Sequence, residues 1–166
     1  MSEIRRYRVL KIRRANADNP SVYAETTPEI DRLIKQKSDK IPLERIRFAG
    51  IVGNIPVSEH SNVSRKKFLE TMRTNLDWVK EREAKIIPKN VELQIDLMFF
   101  ITEDYDRRDL GRLIPPLLDS LQGYIYESDS QIKRIIAEKH LITDVDSSID
   151  KKFYEQICFV VSIPDL

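Results

Sequence analysis

The stretch "VELQIDLMFFIT" (Val91–Thr102) narrows the possible folds most. It alternates apolar and polar residues and then becomes wholly apolar. That change predicts a strand that runs into the centre of a sheet. "IKRIIAEKHLI" (Ile132–Ile142) and "FYEQICFVVSI" (Phe153–Ile163) predict two more strands. Only the polar run "TDVDSSIDKK" separates them, so they are expected to be antiparallel neighbours. "RIRFAGIVGNIPVS" (Arg45–Ser58) predicts a fourth strand that ends in a Gly/Pro turn.

Helices are expected between these strands. In "SNVSRKKFLETMRTNLDWVKERE", Phe68, Met72, Leu76 and Val79 recur at helical spacing, flanked by Leu69 and Trp78. Such a stripe is core-facing. Between Asp109 and Leu121, the residues Leu113, Leu117 and Leu121 share one helical face. Pro115 and Pro116 suit only a first turn, so the helix proper is expected to begin near Ile114. "TTPEIDRLIKQK" carries a helix start, with Thr27 as cap and Pro28 in the first turn. The expected fold class is α+β: a single domain over residues 46–166 with a small mixed or antiparallel sheet of about four strands. A basic N-terminal extension over residues 1–45 precedes it. Six basic residues crowd Arg5–Arg14, which suits contact with phosphate or with a protein partner.

Composition bounds the chemistry. Net charge is +1, so a polyanion would be held by local patches and not by the overall field. A single cysteine, Cys158, excludes an intrachain disulfide and a cysteine-based zinc cluster. It lies in the most apolar strand and is expected in the core. The expected compartment is the reducing cytoplasm, and no membrane span is expected. Four glycines supply no phosphate-cradling loop, and His60 and His140 lack ligand spacing.

Carboxylates are the stronger lead. Asp104, Asp106 and Asp109 follow the Val91 strand, and Glu127 and Asp129 precede the Ile132 strand. The helix between them is expected to return the chain so that both acidic turns meet at one sheet edge. Such hard oxygen ligands suit Mg²⁺, which can activate water and stabilise a phosphoryl transition state. Arg107, Arg108 and Arg112 are interleaved with the acids, as a phosphate-handling site requires. Arg65, Lys66 and Lys67 crowd a helix start, where cations oppose the dipole unless an anion sits nearby.

The order of these residues over 46–163 resembles the RusA family of Holliday-junction resolvases. The family run D-x-D-N-x-x-K-P-x-x-D-x-L places its first metal-binding aspartate on Asp109, its helix aspartate on Asp119 and its leucine on Leu121. "YESDSQI" (Tyr126–Ile132) resembles the family's Y-x-D-D-S-Q-[VI] and puts the later catalytic aspartate on Asp129. The strand lysine matches Lys139, and "GNIPVS" (Gly53–Ser58) resembles the G-x-P-x-S turn. Several positions depart from the pattern. Gly111 stands at the second metal-binding aspartate, Arg112 at the asparagine, Pro115 at the lysine and Ser128 at the first aspartate of the pair. Loss of the lysine alone removes an electrostatic donor of the kind worth about 3 kcal/mol in a transition state.

The resemblance implies a homodimer acting on branched DNA in recombination or repair. Asp109 and Asp129 would hold Mg²⁺, with Asp106, Asp119 or Glu127 as possible helpers. Lys139 would join them in catalysis, and Arg107, Arg108, Arg112, Arg65, Lys66 and Lys67 would contact DNA. The activity implied is a structure-specific endodeoxyribonuclease, or a catalytically weakened relative given Gly111 and Pro115. The alternative is a non-catalytic DNA-binding or protein-interaction module on the same fold.

Overall fold

The computed structural model describes residues 24–53, 66–73, 76, 86–104 and 108–165. The expected α+β class is observed, with a four-stranded mixed sheet between helical layers. The strands are β1 (Ile46–Val52), β2 (Leu93–Ile101), β3 (Ile132–Leu141) and β4 (Gln156–Ser162), in the order β1-β4-β2-β3. β4 is antiparallel to both β1 and β2, whereas β3 is parallel to β2. This corrects the expected antiparallel pairing of β3 with β4. The apolar β4 inserts between β1 and β2, where both its faces are covered. The half-exposed β3 takes the edge. Burial on two faces outweighs closeness in sequence.

β2 supplies both cores, as its apolar run requires. Leu93, Ile95, Leu97, Phe99 and Ile101 point to one side, while Met98 and Phe100 point to the other. The first side is covered by α2 (Leu110–Leu121) through Leu113, Leu117 and Leu121. Phe68, Met72 and Leu76 of the preceding helix join them. Leu69 is half-buried, and Trp78 and Val79 lie outside the described residues. The second side is covered by α1 (Pro28–Lys40) through Ile30 and Ile34. Thr27 caps α1 as expected, accepting from the Ile30 amide at 3.2 Å. Ala24 and Ile41, on either side of α1, join the same core. Cys158 is buried in this second core.

α2 begins earlier than expected. Asp109 is its N-cap, and Pro115 and Pro116 lie inside it. Their ring nitrogens cannot donate to the carbonyls of Gly111 and Arg112, one turn earlier. Both of those residues are exposed, so water can meet the carbonyls. That placement explains how two interior prolines are tolerated. Among the described residues, no helix is long and apolar enough to cross a membrane. We predict that Pro115→Ala changes stability by less than about 1 kcal/mol. Relief of about 3 kcal/mol, the usual cost of an interior helix proline, would show that the carbonyls are not solvated; thermal denaturation distinguishes the two.

Candidate functional site

Because β2 and β3 are parallel, α2 must carry the chain from the far end of one strand back to the near end of the next. Asp109 therefore stands at the start of α2 and Asp129 beyond its end. α2, about 18 Å long for its 12 residues at 1.5 Å per residue, lies between them. The two acidic turns that the sequence leads one to expect together are held apart within one chain. Among the described residues, no three acidic, histidine or cysteine side chains group as metal ligands. One carboxylate at each end does not by itself fit the octahedral, oxygen-rich shell of Mg²⁺.

The Asp109 end is rich in charge. The Asp109 carboxylate makes no capping bond and is 56% exposed, at the positive end of the α2 dipole. Arg112 Nε approaches its Oδ1 at 3.4 Å. A Cβ added at Gly111 would lie 3.3 Å from Asp109 Oδ2. A side chain at position 111 would thus begin beside the Asp109 carboxylate, where the resemblance wants a second acid. Lys139 reaches the same end, donating to Asp104 Oδ1 at 2.8 Å and to the Arg108 carbonyl at 3.1 Å. Arg108 is committed to Glu155 by two guanidinium–carboxylate contacts, one at 2.8 Å, and both side chains are largely buried. Thr102 adds its amide and hydroxyl to Glu155. Arg108 therefore anchors the loop after β2. Its partner Glu155 had no motif to mark it, since the pairing spans 47 residues. Lys66 and Lys67 are exposed on the helix before β2. Arg65, Asp106 and Arg107 lie outside the described residues.

At the Asp129 end, the motif residues build the turn itself. Ser128 caps a short 3-10 turn over Asp129–Gln131, and Gln131 Oε1 accepts from the Ser128 amide at 2.9 Å in return. The buried Gln131 amide also donates to the carbonyls of Pro88 and Val91 at 2.8 and 3.0 Å. It thus ties the start of β3 to the segment leading into β2. Tyr126 donates its hydroxyl to Asp129 Oδ1 at 2.8 Å, and Gln122 Oε1 accepts from the Asp129 amide. Burial first, then the bond to Asp129 and the charges of Asp129 and Asp119, push the Tyr126 phenol well above its ordinary range. Asp119 is thus near this end, and Glu127 accepts from the Lys89 amide at 2.8 Å.

A third charged group was not visible in the sequence. On the α1 side of the sheet, Lys37 Nζ lies 2.7 Å from Glu138 Oε1 and 3.6 Å from Asp96 Oδ2. Gln94 donates to the other Asp96 oxygen at 2.9 Å, and His140 Nε2 sits 3.0 Å from Glu138 Oε2. Lys37 and Asp96 are buried, so the pair is an internal clasp between α1 and the sheet. Only the alternation of β2 hinted at Asp96; that its partner stands on α1 is a tertiary fact. His140 stacks on Phe100 at 5.7 Å and is a packed histidine.

No protein-family model matches the chain, and a search of curated proteins returns no match.

The charged pairs carry two expected outcomes. The Lys37 hydrogen bond, with further help from His140, holds the Glu138 carboxyl below its ordinary value of 4.5. A depressed pKa contributes stability above the ordinary value and loses it as pH falls through the depressed one. Lys37→Met should cost about 3 kcal/mol at neutral pH by stranding buried Asp96. Its deficit against the wild type should shrink below pH 4.5 in denaturant titrations. For Tyr126 the sign is reversed. A raised phenol pKa gives stability that is present below its ordinary 10.0 and lost as pH rises beyond it. Tyr126→Phe should cost about 1.5 kcal/mol at pH 7. It should also unfold less steeply with alkali than the wild type.

Proposed function

We propose that this chain is a RusA-like protein that binds branched DNA as a homodimer in recombination or repair, with Mg²⁺-dependent cleavage weakened. One observation carries the reading: the Asp109 carboxylate stands exposed at the start of α2, beside the position of Gly111, which has no side chain. Phosphate contacts would come from exposed cations such as Lys66, Lys67 and Arg112. Weakening follows from the chemistry of the site. Gly111 offers no oxygen, Pro115 offers no cation, and Arg112 lies against the acid that a metal would need. Mg²⁺, where bound, would polarise a phosphate and activate water; the resemblance assigns it to Asp109 and Asp129, which lie at opposite ends of α2 within one chain.

The wild type should bind a synthetic four-way junction more tightly than duplex of the same length. Its affinity should fall steeply between about 50 and 200 mM salt as counterions are released. Gly111→Asp with Pro115→Lys should raise Mg²⁺-dependent cleavage at least tenfold over the wild type. The Cβ gained at position 111 needs only a small shift of the exposed Asp109 side chain, and the lysine gained at position 115 restores a backbone donor. Equal, salt-insensitive affinity for junction and duplex would sink the reading.

A further inference from the structure

We infer that Glu155 is a positioning residue: acting through Arg108, and together with Lys139, it fixes the peptide that enters Asp109 and so aims the Asp109 carboxylate. The use of that carboxylate rests on the RusA-like reading. Asp109 caps α2 without a side-chain hydrogen bond to the helix, and its carboxylate is more than half exposed. Its place is therefore set by the backbone on either side. On the helical side, the Asp109 carbonyl accepts from the amides of Arg112 and Leu113 at 3.0 and 3.1 Å. On the other side stands Arg108, which is gripped twice.

The first grip is Glu155. β4 runs antiparallel to β2 with Gln156 opposite Phe100, so Glu155 stands beside the end of β2. Its Oε2 accepts from the Thr102 amide at 3.0 Å and from the Thr102 hydroxyl at 3.3 Å. Its Oε1 accepts from Arg108 Nη2 at 2.8 Å, and Arg108 Nη1 completes the fork on Oε2. One carboxylate thus joins Thr102, directly after β2, to Arg108, directly before the cap of α2. The two side chains of the fork are only 12% and 14% exposed. A two-pronged pair fixes orientation as well as distance. The second grip is Lys139, whose ammonium donates to the Arg108 carbonyl at 3.1 Å and to Asp104 Oδ1 at 2.8 Å. That carbonyl is the oxygen of the peptide whose nitrogen belongs to Asp109. Because a peptide is planar, holding its oxygen and anchoring the residue behind it leave little freedom where the chain enters Asp109.

Arg108 and Lys139 are the cations that the RusA resemblance directs to DNA and to catalysis. Here their donors meet acids and a backbone oxygen of the same loop. A working carboxylate has to be held to within about 0.5 Å, and such precision comes from the residues behind it. Lysine cannot replace arginine in the fork, since an ammonium gives charge without orientation.

Hydrogen exchange and junction cleavage by the full chain test the assignment. Glu155→Gln keeps the shape and removes the charge. It should speed exchange of the Arg112 and Leu113 amides at least tenfold. The Ile125 amide, bonded to Leu121 at the other end of α2, should keep its wild-type rate. Added to Gly111→Asp with Pro115→Lys, Glu155→Gln should slow junction cleavage at saturating protein at least tenfold, well below the melting temperature. The junction Kd should shift by less than about threefold. Arg108→Lys should match it in exchange and in rate, and carries the test should Glu155→Gln not fold. Combined, the two should be no worse than either alone, since both break one pair. Unchanged exchange at Arg112 and Leu113 overturns the inference, whatever the DNA result. A loss of junction affinity with the saturating rate intact also overturns it, by putting the pair in the DNA contact. Without cleavage in that background, exchange alone decides. A wild type that ignores branched DNA, with the exchange effect present, would remove the proposed function and uphold the clamp. A junction binder whose α2 amides ignore Glu155→Gln would do the reverse.

Discussion

The parallel register of β2 and β3 governs the rest of the molecule. Antiparallel neighbours can be joined by a tight turn, but parallel ones need a crossover, and α2 is that crossover. Its length then fixes the distance between the acidic turns at its two ends. Asp109 inherits the helix start and Asp129 the turn into β3. Strand order, separately, puts β3 at the edge of the sheet, and among the described residues no strand pairs with its outer side.

Around that frame, several residues that look chemical do structural work. Ser128, Tyr126 and Gln131 shape and fasten the turn that presents Asp129, and Gln131 also satisfies two carbonyls ahead of β2. Arg108 is held by Glu155, and Lys139 by Asp104 and a backbone oxygen. A cation committed to a largely buried pair is costly to withdraw, since the acid left behind would be unpaired. Asp109 and Arg112, by contrast, form a solvent-exposed pair at the start of α2.

The buried Lys37–Asp96–Glu138 clasp plays a different part. It joins the helix over one face of the sheet to the central strand and to the edge strand. Apolar packing by Ile30 and Ile34 holds α1 down, whereas the clasp allows few positions for it. Such a pair gives little net stability over apolar residues, but it penalises any arrangement that separates the charges.

Local pattern is enough for the elements. The apolar run of β2, the Leu113–Leu117–Leu121 stripe and the Thr27–Pro28 cap each report their own surroundings, because burial on a face writes a period into the sequence. Those signals determine the α+β class, the helical cover and the core position of Cys158. Three things are not legible there. The start of α2 escapes the sequence because the carbonyls its prolines leave unbonded face solvent one turn back, a fact of exposure. The strand order escapes it because β4 is drawn to the centre by burial on both faces, which sequence proximity does not encode. The fate of the carboxylates follows from that order: Asp109 and Asp129 sit at opposite ends of a helix because the strands it joins are parallel. The sequence by itself determined which residues carry charge beside which elements. Only the tertiary structure decided which of those charges meet, because pairing across a sheet depends on strand direction, and direction is set by the packing of the whole.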